Sequence, residues 1–171
     1  RTFIIASLFS LAPAIAAAEN WHQFRGPTGM GLATSEVPTQ WSNDSIAWKV
    51  ELPGQGQSSA VNWGAKLFVT AASKDGGTRT LFCLDKENGD VLWKRDIATK
   101  QKEALHKMNS WATPSAVTDG ERVIAFFGPA GIHCYDMNGK GQWSKNLGDF
   151  PGGWGIAASP IIADNQVIQN C

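Results

Sequence analysis

Two twelve-residue stretches constrain this chain more than any other feature. CLDKENGDVLWK runs from Cys83 to Lys94, and CYDMNGKGQWSK from Cys134 to Lys145. Each places a Cys, an Asp, a turn containing Gly and a Trp in the same order. Asp85 and Asp136 stand 51 positions apart, Trp93 and Trp143 stand 50 apart, and SIAWKVEL supplies an earlier tryptophan, Trp48, 45 positions before Trp93. A second pattern repeats out of phase with the first. SSAVNWGAKLFVT begins at Ser58, PSAVTDGERVIAF at Pro114 and SPIIADNQVIQNC at Ser159. Each has a small-residue start, a short apolar run, a polar or Gly turn and a second apolar run. Self-similarity at a period of roughly 45 to 56 residues marks a repeat architecture.

The apolar runs are too short for ordinary helices and are bounded by turn residues, so each pass reads as four strands. The first pass predicts strands over 59–62, 66–72, 80–85 and 91–96. The second predicts 115–118, 122–127, 132–136 and 142–146. The third offers 160–163 and 166–170. Asn88-Gly89 and Asn138-Gly139 are hairpin dipeptides, because Asn and Gly accept positive φ at little cost. Asp119-Gly120 and Asp164-Asn165 serve the same purpose between first and second strands. Asp85 and Asp136, at a strand end before such a turn, read as turn-stabilising residues.

Four short strands per pass mean propeller blades, which bury their faces only by stacking. The fold class is therefore all-β: a partial β-propeller of four-stranded antiparallel blades, about two of them complete, with parts of two others. The complete blades span 58–96 and 114–146, and a truncated blade spans 159–171. Residues 45–52 match a blade's fourth strand with no first three before it, so Ile46–Val50 is expected to lack blade partners. A ring of at least four blades needs about 180 residues, which predicts an open arc. The repeat positions Trp48, Asp85, Gly89, Trp93, Asp136, Gly139 and Trp143 read as structural.

The Cys83-Leu84-Asp85 start, with Gly89 and Trp93 following, resembles the A-x-D-x-x-x-G-x-x-x-W tryptophan-docking repeat of PQQ-like (quinoprotein-type) β-propellers, with Cys in place of the usual Ala. Cys134, Asp136, Gly139 and Trp143 form a similar set whose turn is one residue shorter. The opening WHQFRGPTGMGLA, from Trp21 to Ala33, resembles exported bacterial members of that family, as do Trp41 and Ala47-Trp48-Lys49. The resemblance covers Trp21 to Cys171. It implies either an exported binding or scaffold module, or a PQQ-dependent oxidoreductase of the periplasm or secreted space. Quinoprotein dehydrogenases typically carry an adjacent Cys-Cys pair and an Asp/Glu/Asn calcium site, and neither is readable here. No cofactor is evident, and PQQ with calcium follows only from the oxidoreductase reading.

The N-terminus points to export. Phe3 to Ala18 holds no charged residue, follows Arg1 and ends in Ala16-Ala17-Ala18. A positive start, a short apolar run and a small-residue end describe a signal peptide over residues 1–18. Pro13 interrupts the run, which falls short of the roughly 20 residues of a spanning helix. The expected location is bacterial, periplasmic or extracellular, with no transmembrane segment in the mature chain.

Fifteen basic and fifteen acidic side chains give zero net charge, without the basic excess of a nucleic-acid binder. Cys83, Cys134 and Cys171 form no C-x-x-C pair, and His22, His106 and His133 show no ligand spacing, so no metal site is expected. Cys83 and Cys134 read as small buried hydrophobes, with a mutual bridge as the alternative. No Gly-rich stretch opens a helix, and no G-x-S-x-G elbow is present.

In a meander of strands, the first-to-second and third-to-fourth connections emerge on one face and the rest on the other. The second set is the long one: 73–79, 97–114 and 147–159. Long loops on a rigid scaffold carry binding residues. These hold His106, Asn109, Trp111 and Trp154, which are expected to gather at the axis mouth as contacts for a protein, glycan or small molecule. The alternative for the indoles is burial as a plug between blades. Thr99–Met108 mixes charges with helix formers and predicts a short exposed helix.

Overall fold

The computed structural model of the protein describes residues 19–36 and 38–171. The signal segment expected over residues 1–18 lies outside them. A four-stranded antiparallel meander comes first: β1 (Val61–Trp63), β2 (Lys66–Ala72), β3 (Thr78–Asp85) and β4 (Val91–Ala98). The same order recurs in β5 (Val117–Thr118), β6 (Arg122–Phe126), β7 (Ile132–Asp136) and β8 (Gly141–Lys145). A two-stranded sheet follows, of β9 (Ile161–Ala163) and β10 (Gln166–Ile168). The first strands stand side by side, β1 against β5 and β5 against β9. The sheets therefore fan out from a shared inner edge, which is propeller geometry. Among the described residues only two short 3-10 turns, Asn43–Ser45 and Gly128–Ala130, interrupt this pattern, and no helix is long and apolar enough to cross a membrane.

Both faces of the first blade are buried, as the alternation in β3 requires. Leu81 and Cys83 point toward the second blade and join Phe68, Val61, Ala116, Val123 and Phe127. Phe82 and Leu84 point the other way and pack with Ala71 against Trp48 and Leu52. The second blade repeats the scheme, with Ile124, Phe126, Ile132 and Cys134 covered by Phe150, Ile156, Ile162 and Val167. Each large apolar side chain so enclosed contributes about 2 kcal/mol.

The tryptophans link one blade to the next. The Trp48 indole N–H donates to Lys86 O at 2.9 Å, and the Trp93 indole N–H donates to Met137 O at 3.1 Å. Each acceptor follows the repeat Asp by one position. The rings lie flat against Gly89 and Gly139, both at φ 79°, where a Cβ would stand 2.5 Å from Trp48 and 2.7 Å from Trp93. Glycine is required there twice over, for the left-handed backbone and for the space. Asp85 Oδ1 accepts from the amides of Glu87 (2.8 Å) and Asn88 (3.3 Å), and Asp136 Oδ1 from those of Asn138 (2.9 Å) and Lys140 (2.8 Å). The carboxylates therefore shape the turns that receive the indoles. A bulge lies at the same place in both blades: Cys83 pairs with Trp93 and Leu84 with Val91, Cys134 with Trp143 and Tyr135 with Gly141. One residue is skipped each time, which re-aims the indole.

Three details differ from expectation or extend it. β1 and β5 begin two residues late, because their lead-in residues bond sideways to the neighbouring blade. Ser59 N–H donates to Ser115 Oγ at 2.8 Å, and Ser115 N–H to Ser159 Oγ at 2.9 Å. Residues 99–106 form no helix. Thr99–Met108 is held open by its neighbours, since Glu103 reaches down to Arg79 and its carbonyl accepts the Trp111 indole N–H. Tertiary contacts override the local helix preference there. Residues 46–50 form no strand and are held through Trp48, while Ile46 and Val50 stay exposed.

Candidate functional site

Contacts between turns define two faces. On one, Trp63 lies against Gly120 and Lys66 Nζ donates to Met137 O. The hairpins β1–β2, β3–β4, β5–β6 and β7–β8 therefore share a side. The opposite side carries the 73–77, 99–116, 127–131 and 146–160 connections. Gln57 Nε2 donates to Met108 O there at 2.7 Å.

On the loop face three of the four sequence-designated residues meet. The His106 and Trp154 rings stack, with centroids 4.6 Å apart and planes 29° apart. Asn109 Nδ2 donates to Trp154 O at 2.7 Å, and the Asn109 amide donates to His106 O at 2.8 Å. The Asn109 side-chain oxygen accepts from the Ser110 amide and from the Thr113 hydroxyl. His106 Nδ1 accepts from the Met108 amide. The blade-1-to-blade-2 connection and the next one are thus tied together, with Trp154 held from below yet 71% exposed. Met108 stands 74% exposed beside His106.

Trp111 occupies a different place on the same connection. Its indole N–H donates to Glu103 O at 3.2 Å, its ring carries the Arg79 guanidinium at 5.3 Å, and it lies flat on Gly76. Its environment is that of a plug between the β2–β3 loop and the second blade. Arg79 and Glu103 beneath it form an ion pair at 3.4 Å with side-chain exposures of 0% and 2%. Arg79 also donates to Gly76 O. Burial pushes the Glu103 carboxyl above its ordinary range, against the opposing pull of Arg79. Sequence reading missed this pair. The signal available was a lone basic residue, Arg79, in a mostly buried β3 and a lone Glu in a lysine-rich loop.

Among the described residues no three His, Cys, Asp or Glu side chains stand close enough to hold a metal ion. The Trp48 and Trp93 indoles face neighbouring turns. Cys83 and Cys134 are buried free thiols, and burial pushes the Cys83 thiol up to about 11.

The family described as outer membrane protein assembly factor BamB, a PQQ-type repeat family, matches residues 37–169. Among solved structures, BamB from Moraxella catarrhalis is similar with a TM-score of 0.54 at 22% identity, over 72% of this chain and 36% of that one. At that identity the likeness is one of fold. The chain spans little more than a third of that protein's length. No curated protein matches the chain.

Proposed function

The chain belongs to the PQQ-like repeat β-propeller family of the outer membrane protein assembly factor BamB, and on that premise we propose that it is an exported binding module whose loop face takes a protein partner. The observation that carries this reading is Trp154. An indole left mostly in water normally gains little from being fixed in place. Here His106 stacks on it and Asn109 holds its carbonyl, so its orientation is set before anything binds. Preorganised aromatic side chains lose little entropy on association and dominate protein interfaces. The repeat fold supplies the rigid support. The role that names the family, outer membrane protein assembly factor, supports a protein partner and a bacterial envelope setting over a small-molecule reaction.

The test is site-specific photo-crosslinking in the source cells. A photoreactive residue in place of Met108 reports on the loop face, and one in place of Glu87 on the hairpin-turn face. We expect a discrete protein adduct from position 108 and none from position 87. Adducts from position 87 alone would overturn the reading. Fractionation of the same cells checks export.

A further inference from the structure

The chain is neutral, but its charge is divided between the two faces. The loop-face connections expose Lys74, Lys100, Lys102 and Lys107, against the exposed carboxylates Asp75 and Asp149. The third carboxylate there, Glu103, is buried against Arg79. The hairpin turns show the reverse balance. Glu87, Asp90, Glu121 and Asp164 are exposed there against Lys140, with Lys66 and Lys86 half-buried and Asp119 paired with Arg122. A surface with one dominant sign attracts ligands of the other and raises their rate of encounter.

The lysines border the apolar part of the face. Lys107 lies between His106 and Met108 in sequence. Lys102 lines a cleft of about 310 Å³ with Gln101, Ala104, Pro129, Phe150 and Pro151, and with the carboxyl residues Glu103 and Asp149. The loop face therefore combines two exposed apolar side chains, Trp154 and Met108, with four exposed lysines and a cleft of mixed polarity between the two long connections. Resting on the protein-binding reading above, we propose that this face receives an acidic polypeptide segment carrying an apolar residue. Trp154 and Met108 contact the apolar side chain, while Lys102 and Lys107 meet the flanking carboxylates.

A polypeptide fits better than an acidic glycan. A sugar ring on an indole needs side-chain donors and acceptors at the ring's edge for its hydroxyls. The Asn109 side-chain oxygen already accepts from Ser110 and Thr113 and one of its amide hydrogens goes to Trp154 O, which leaves a single N–H of that side chain for a sugar hydroxyl. Met108 adds an adaptable, polarizable contact of the kind that accommodates varied apolar side chains.

The experiment is fluorescence anisotropy on the full-length protein. The probe is a fluorescein-labelled synthetic peptide in which Asp-Glu runs flank a Leu-Phe pair. Controls are the same peptide with Lys replacing every acid, plain polyglutamate, and polygalacturonate as an acidic glycan. Expected is binding of the acidic-apolar peptide alone, weakened about tenfold by Lys102→Glu with Lys107→Glu and by a similar factor by Trp154→Ala. Salt should weaken it further, because rim charges are screened. Glu87→Lys with Glu121→Lys, on the other face, should leave it unchanged. Circular dichroism confirms that each variant folds.

Equal binding of the lysine peptide, or a loss caused by the turn-face variant, would overturn the proposal. Tighter binding of polygalacturonate than of the peptide would overturn it in favour of a glycan. A non-acidic protein crosslinked at position 108, with no affinity for the acidic peptide, would overturn the charge argument and leave the loop face as the binding face.

Discussion

The two faces of the blades are built by opposite means. On the turn face the tryptophan docking recurs. An Asp shapes a turn, a Gly in that turn opens a flat seat, and a tryptophan from the preceding repeat fills it and donates to the carbonyl beside the Asp. On the loop face the main contacts occur once each: Trp111 against Arg79, Trp154 on His106, Asn109 to Trp154. Stacking the blades uses up the turn face and leaves the loop face to carry what is particular to this protein. A repeat scaffold separates stability from recognition in this way, because each blade must seat its neighbour while its long connections need only be held.

The strongest test of that division exchanges one indole on each face for alanine. Trp93→Ala removes a ring packed between Phe68 and Tyr135 together with its hydrogen bond to Met137 O. It should cost about 3 to 4 kcal/mol in guanidinium unfolding. Trp154→Ala, at a mostly exposed ring, should cost about 0.5 kcal/mol or less. Equal losses would make Trp154 a structural plug and erase the distinction between the faces.

The glycines sharpen the same comparison. Gly139→Ala meets both a left-handed backbone and the Trp93 ring, and should cost about 2 to 3 kcal/mol. Gly152, in a loop-face connection, has nothing within 4 Å of where its Cβ would stand. Gly152→Ala should change stability by about 0.5 kcal/mol at most. Thermal midpoints of the two variants decide it.

This asymmetry also explains what was legible in the sequence. The turn face could be read because its chemistry is local and periodic. Asp85 and Gly89, or Asp136 and Gly139, sit within one turn, and their spacing to Trp93 and Trp143 recurs. The strand positions followed from the same period. Of the loop face, sequence identified the residues that were conspicuous and non-repeating, and the structure brings His106, Asn109 and Trp154 together. It left burial as a plug open for both indoles and did not reveal that Trp111 is the one that turns inward, because its partner Arg79 lies 32 positions away on β3. The helix expected over Thr99–Met108 failed for the same reason. Glu103 was read as part of a solvated charged run, whereas the ion pair to Arg79 pulls it beneath the loop. Non-local partners leave no periodic trace.

The serine links lie between these extremes. The small-residue starts of the second pattern were visible, but their role was not. Each serine hydroxyl accepts the amide of its counterpart in the preceding blade, at the inner edge where β1, β5 and β9 stand together. Ser115 is 1% exposed, so Ser115→Ala leaves the Ser59 amide without its acceptor. The expected loss is about 1 kcal/mol, less than either turn-face substitution. Amide hydrogen exchange should show faster exchange at Ser59, with Trp93 seated as before. Unchanged exchange would mean that indole docking alone aligns the blades.

The smallest expected effect divides the loop face itself. Asp75 lies below the ordinary carboxylate range, because the Ser73 hydroxyl donates to it at 2.7 Å and the Gly77 amide at 3.1 Å. Glu103 lies above its own range, because it is buried. The two therefore act on stability with opposite signs. A carboxyl depressed by folding contributes stability that is present above its unfolded pKa, about 3.9 for Asp, and is lost as pH falls through the folded value. A carboxyl raised by folding contributes stability that is fully present below its unfolded pKa, about 4.3 for Glu, and is lost as pH rises through the folded value. Asp75→Asn should therefore flatten the acid-side loss. Glu103→Gln should flatten the decline just above the ordinary carboxylate range, on a baseline lowered at every pH because Arg79 is left buried without its anion. Guanidinium midpoints measured against pH for the parent and both variants separate the two slopes. If Asp75→Asn leaves the acid limb unchanged, the β2–β3 loop is held by the backbone bond from the Ser73 amide to Thr78 O and by the Ser73 hydroxyl. Its exposed charges, Lys74 included, would then be free to respond to whatever docks on that face.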